Sequence, residues 1–227
     1  MNEDGDMEAV EKVFRLNIQE YPEAANPRDS NADYFIAAGN EKEAKKYLKE
    51  SIALTQKGKG SKDDTRLYHG SLGKLARLEK RHAQLDFLVG DWDLEINNLT
   101  DGKVVDQSKE INKIYKDEEL GILVADFKSP QGESFVKRII AYDAVDDNFD
   151  VIYIGTNQML GVWPSTMKVK DLGNGSFEAV EQYTDEGQEP VSLRHEIRKL
   201  DENSLEWKIF NENMGEHVAV MNFKRRG

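Results

Sequence analysis

The apolar positions change their spacing midway along the chain. Before residue 57 they recur three to four residues apart, the period of one helix face. After residue 85 most recur at every second position, the period of a strand with one buried face. The stretch LDFLVGDWDLEI, residues 85 to 96, marks the change: Trp92, Leu94 and Ile96 share one face, while Asp91, Asp93 and Glu95 take the other. About ten segments of strand character follow, separated by short turns such as Thr100-Asp101-Gly102, Ser129-Pro130-Gln131-Gly132, Asp146-Asp147-Asn148, Gly173-Asn174-Gly175 and Asp185-Glu186-Gly187. Hairpin after hairpin with no long crossover gives antiparallel, up-and-down order, and closing such a sheet removes the edges an open one would expose. The expected fold is therefore α+β in two parts, a short N-terminal α-helical repeat hairpin and a roughly ten-stranded antiparallel up-and-down β-barrel. The expected boundaries are a helical segment at 1–56, a linker and short helix at 57–84, and the barrel at 85–227.

The helical half repeats itself. Val10, Phe14 and Ile18 match Ala44, Leu48 and Ile52 at a constant lag of 34 residues, and with the neighbouring positions this resembles the tetratricopeptide repeat. In DSNADYFIAAGNEKEAKKYLKESIAL, Ala32 stands where that family has a small residue and Phe35 where it has an aromatic one. Gly39-Asn40 makes the turn, and Ala44, Leu48 and Ser51 take the packing positions of the second helix. Pro22 closes the earlier helix. The resemblance implies about one and a half repeats, fewer than the three such arrays need to stand alone, so these helices are expected to pack on the barrel, to belong to a longer parent chain or to dimerise, and to serve contact with a protein partner. Residues 57 to 66, KGKGSKDDTR, read as linker, because Gly58-Lys59-Gly60 lacks the third glycine and the preceding strand of a dinucleotide fingerprint. Leu67, Leu72, Leu75, Leu78 and His82 then stand near helical spacing, giving a short amphipathic helix suited to lid or plug a barrel end.

Charge narrows the partners. With 43 acidic against 31 basic residues and a formal charge of −12, the chain repels nucleic acid and anionic lipid, so no nucleic-acid partner is expected. There is no cysteine, which removes disulfides, thiolate metal sites and thiol nucleophiles together. No run approaches the roughly 18 apolar residues of a membrane span. The start, MNEDGDMEAV, has no signal-peptide pattern, so the sequence as written reads as cytoplasmic, or as periplasmic if it is part of a longer secreted protein.

A second resemblance rests on three short motifs. Leu85, Leu88, Val89, Gly90 and Trp92 open the barrel segment, Ala141-Tyr142-Asp143 closes a middle hairpin, and Arg198-Lys199-Leu200-Asp201 leads to Leu205-Glu206-Trp207. Together they resemble an uncharacterised lipocalin-like family of the calycin group and, at longer range, the nitrobindins. The likeness spans residues 82 to 226. It implies a calycin-like barrel in which Trp92 closes the base and forms the floor of a ligand cavity. Nitrobindins bind haem through a histidine on the last strand, a placement that His217 matches, although DLEINNL replaces their glycine-rich first strand.

No complete catalytic motif occurs. His195-Glu196-Ile197-Arg198-Lys199 begins like a zinc HExxH but ends in lysine, and in a strand its His and Glu point to opposite faces, so no metal site is expected. Neither a Gly-x-Ser-x-Gly elbow nor a P-loop is found. Alternation places His195 inward beside Val191, Leu193 and Ile197, and Trp207 inward beside Leu205 and Ile209. A neutral core histidine bonded to Tyr183 or a buried water is the structural reading of His195. The leading expectation is a binding module for a small apolar or amphipathic ligand, with Trp92, Arg138, Tyr183, His195, Trp207 and His217 as candidate contacts and no cofactor, haem on His217 being the alternative. An enzyme using His195 as general base on a carbonyl or hydroxylated substrate is the second reading, and a filled structural barrel that regulates or scaffolds a larger protein is the third. The acidic side chains are expected mostly on outer faces and in turns.

Overall fold

The computed structural model describes residues 7–57, 62–155, 161–183 and 190–227. Four α-helices come first among these: α1 (Met7–Glu20), α2 (Asn26–Ala37), α3 (Glu41–Lys57) and α4 (Lys62–Leu78). Two short 3-10 turns, Arg81–Ala83 and Asp86–Leu88, lead into ten strands. The strands are β1 (Gly90–Thr100), β2 (Lys103–Asp117), β3 (Ile122–Lys128), β4 (Ser134–Asp143), β5 (Asn148–Gly155), β6 (Gly161–Gly173), β7 (Ser176–Tyr183), β8 (Val191–Asp201), β9 (Ser204–Asn211) and β10 (Glu216–Arg225). The chain forms two compact units, residues 1–81 and 82–227.

In the helical unit α2 and α3 make the expected hairpin. Gly39 takes φ +70°, a conformation open to glycine, and the Asn40 amide donates to Phe35 O at 2.8 Å, ending α2. Asn40 Oδ1 then accepts from the Glu43 amide at 3.3 Å and starts α3. Ala32, Ala44 and Leu48 are fully buried between the helices, and Phe35 stacks on Tyr47 with centroids 5.6 Å apart. The helix expected from residue 67 begins at Lys62 and packs on α3 and α2. A buried polar seam joins it there: Ser71 Oγ donates to Asp29 Oδ1 at 2.7 Å, Ser51 and Ser71 hydroxyls lie 3.2 Å apart, and Lys74 Nζ reaches Asp29 at 2.8 Å and Asp33 at 2.6 Å.

The second unit is a closed, antiparallel, up-and-down barrel in which every strand pairs with its chain neighbours and β1 closes on β10. The expected strand number and order are borne out. Trp92, Leu94 and Ile96 of β1 stand opposite Asn112, Glu110 and Ser108 of β2 on the inner face, while Asp91 and Asp93 face out. Where β1 begins, the barrel is stoppered by Leu85 and Leu88, both buried, and the Trp92 indole donates from Nε1 to Leu88 O at 2.8 Å. Arg225, at the end of β10, lies over the Trp92 ring at 4.4 Å and donates to Val89 O at 3.2 Å. Gly90 makes this possible: its φ is +152°, and a Cβ there would stand 2.3 Å from Arg225 Nη1. The Gly-x-Trp of the sequence is thus a cap that locks the first strand to the last.

Candidate ligand site

Away from the cap, the middle of the barrel holds a buried polar cluster. Arg138 from β4, Tyr153 from β5, Ser165 and Met167 from β6, Glu181 from β7, His195 from β8 and Trp207 from β9 all fall on inward positions of their strands. Arg138, Glu181, His195 and Trp207 are each no more than 5% exposed. Glu181 is the hub. Its carboxylate accepts from Tyr153 Oη at 3.2 Å and from Ser165 Oγ, and lies 3.6 Å from Arg138 Nη2. Arg138 is held by rings as well as charge, its guanidinium 5.1 Å from the Tyr153 centroid and 5.6 Å from that of Trp207, and Nη2 donates to Met167 Sδ at 3.4 Å.

The protonation states follow from the donors. An indole N–H can only donate, so the 3.0 Å contact from Trp207 Nε1 to His195 Nδ1 makes Nδ1 the acceptor and leaves the neutral ring's proton on Nε2. Nε2 comes within 3.0 Å of Glu181 Oε2, at an angle too oblique for a formed hydrogen bond. Burial lowers the His195 pKa, with Arg138 adding to the effect and Glu181 opposing it, so the ring is neutral. Burial alone would raise the Glu181 pKa, but His195, Arg138 and Ser165 outweigh it and bring it down to about 2. Burial raises the Tyr153 phenol, so it stays a donor. The cluster therefore contains one internally paired charge couple around a neutral imidazole. Two buried donor atoms in it, Arg138 Nε and His195 Nε2, have no hydrogen-bond acceptor.

Above this cluster, toward the end opposite the cap, the inner face opens. Ile96, Phe127, Val136, Leu193, Ile209 and Met221 all point inward yet are only half-buried, and Trp163 is 39% exposed. Side chains on the inside of a closed barrel meet solvent through its interior or its open end, so these are the positions where a ligand cup would have its walls. Two grooves on the outer wall, of about 860 Å³ and 730 Å³, are lined largely by outward residues of β1, β2 and β10 and of β5 to β8 respectively. Of the polar cluster only Ser165 touches them, at the second groove, and Glu110 borders the first.

Of the candidate residues, Arg138, His195 and Trp207 come together in the cluster. Trp92 belongs to the packed cap half and reaches the cluster through Phe223, which meets Trp92 edge-on at 6.1 Å and stacks on Trp207 at 5.9 Å. Tyr183 stands near the rim, 36% exposed, and the partners of His195 are Trp207 and Glu181 instead. His217 lies opposite Phe210, on the outer face, with its ring edge-on to Phe210 at 5.2 Å and Arg194 over the same phenyl at 4.7 Å. Glu181 and Glu110 are carboxylates on inward positions, exceptions to the expectation that acids lie mostly outside. The alternation of SFEAVEQY, with Phe177, Ala179 and Glu181 on one face, carried the signal for the first of them.

Among the described residues no helix is long and apolar enough to cross a membrane. No family model matches the chain, and no curated protein sequence matches it. Among solved structures it is similar to two redesigned beta barrels. One, b11L5F_LGL, has a TM-score of 0.32 and 10% identity over 63% of this chain and 94% of that one. The other, mFAP1 bound to DFHBI, has a TM-score of 0.30 and 14% identity over 64% of this chain and 99% of that one.

Proposed function

We propose that the barrel is a binding module for a small, largely apolar molecule held in the open cup, with the polar cluster as its rigid floor. The observation that carries this reading is the inner wall above the cluster, where Ile96, Phe127, Leu193, Ile209, Met221 and Trp163 face inward and remain in contact with solvent. Apolar walls with a few polar groups beneath them are the usual composition of small-molecule sites. The cluster supports binding over base catalysis, because the one lone pair of the neutral His195 ring, on Nδ1, is engaged by Trp207. The Gly90, Trp92 and Arg225 arrangement supports the calycin-like resemblance.

The helical unit takes the protein-contact role in this proposal. In repeat register Val10 and Val13 of α1 correspond to Ala44 and Tyr47 of α3, which α2 covers; Val10 and Val13 are 40% and 55% exposed. Their fitting occupant is an amphipathic helix of the α2 kind, with an aromatic residue where α2 has Phe35. Native mass spectrometry of the whole chain tests both parts. The expected spectrum shows a retained small molecule, or one acquired from an apolar panel with a matching change in tryptophan fluorescence, and a species above the monomer mass. A bare chain that takes up nothing from the panel would make the barrel a filled structural one, and a strict monomer with no bound protein would remove the role of α1.

A further inference from the structure

Between the cap and the rim, three charged side chains occupy inward positions, and two of them neutralise each other. Arg138 and Glu181 are the pair. The third is Glu110 on β2, inward between Ser108 and Asn112 and opposite Leu94. Among the described residues Glu110 has no ion-pair or hydrogen-bond partner. Burial raises its pKa, and no cation acts against that. Farther along the same face of β2, near the rim, stands a second acid, Asp106, bonded to Asn98 at 3.2 Å.

The rest of the unit has the same sign. Residues 82–227 contain 28 acidic and 16 basic residues, so they carry the chain's whole formal charge of −12 and the first 81 residues carry none. Such a field draws cations toward the barrel and turns anions away. Inside, Phe127 and Trp163 occupy inward positions, and aromatic faces attract cations. Arg138 offers little to a carboxylate ligand, because Glu181 remains ionised beside it.

We propose that the ligand is an organic cation, a protonated amine on an apolar body, with its ammonium at the Glu110 carboxylate and its body against the aromatic and aliphatic walls of the cup. This rests on the binding reading above and names its ligand class. The unpaired inward carboxylate then has a purpose: it is left without a partner among the described residues because the ligand supplies one.

The test uses three probes of equal chain length, octylamine, octanol and octanoate, titrated at pH 7 into the whole protein and into Glu110→Gln while tryptophan fluorescence is followed. Octylamine is expected to bind about tenfold more tightly than octanol, a difference of one charge interaction at a half-buried site, with octanoate weakest. In Glu110→Gln the amine should fall to the level of the alcohol while the alcohol is unchanged, and the melting temperature should hold or rise because an unpaired charge has been removed. If octanol or octanoate matches octylamine in the wild type, or if the amine keeps its advantage in Glu110→Gln, the cation assignment fails and the cup stands. If none of the three binds, the cup itself fails. A lower melting temperature with unchanged amine binding would make Glu110 a structural residue.

Discussion

Changing Glu181 to Gln keeps the shape of the buried cluster and removes its negative charge. Arg138 then keeps its charge in a site where it is 5% exposed, with its two flanking rings and a thioether as neighbours. Two independent routes give the size of the effect. A carboxyl held at about 2 rather than 4.5 contributes about 3 kcal/mol at neutral pH. Breaking a buried ion pair by removing one partner costs about 3–5 kcal/mol. Glu181→Gln is therefore expected to destabilise the barrel by about 3 kcal/mol. Arg138→Met should also destabilise it, and the double variant should lose less than the sum, since it leaves no unpaired charge behind. Urea unfolding at pH 7 followed by tryptophan fluorescence reads this directly, because all three tryptophans, Trp92, Trp163 and Trp207, lie in the barrel unit. A Glu181→Gln variant within about 1 kcal/mol of the wild type, or full additivity in the double variant, would refute the claim that the cluster is held by charge.

Acid should weaken the barrel in two stages. His195 has its folded pKa lowered from 6.5 by burial, so its contribution is complete above 6.5 and is lost as pH falls, because the unfolded chain takes up a proton that the folded one refuses. Glu181 follows between 4.5 and about 2. His195→Gln should remove the first stage, and a wild-type stability that stays flat from pH 7.5 to 5 would contradict this assignment. At the cap, Gly90→Ala places a Cβ against the Arg225 guanidinium at a left-handed φ, and a cost of about 1–3 kcal/mol is expected. A shift in the emission from Trp92, which loses the overlying Arg225, should accompany it, and an unchanged melting temperature would mean that the cap contact is dispensable.

The inner faces of β1, β8 and β9 were legible in the sequence because their alternation runs unbroken through the residues that matter: Trp92 to Ile96, Val191 to Ile197, and Leu205 to Ile209. His217 was not legible. Counting back by twos from Phe223, Met221 and Ala219 would put it inside, but a register shift between His217 and Ala219 sets Val218 aside as an extra residue and leaves His217 opposite the outward Phe210. A bulge depends on the pairing of two strands, and nothing local in GEHVAV announces it. The start of α4 was missed for a different reason. The face it turns to α2 and α3 includes Ser71 and Lys74, which answer Asp29, and an apolar pattern cannot register a polar seam.

Glu181 and Glu110 show where such reading stops. Both follow the strand parity, against the general tendency of acids to be exposed. For Glu181 the compensation comes from β4, β5, β6 and β8, four strands that meet only when the barrel closes, and its pKa falls despite burial. Glu110 lies on the same inner surface with no such convergence, and its pKa rises. Two glutamates on inward positions are thus shifted in opposite directions, decided by which distant side chains arrive. In Glu181 the fold has satisfied its own charge and made a rigid floor. Glu110 has no such partner among the described residues, which is why the amine test turns on it.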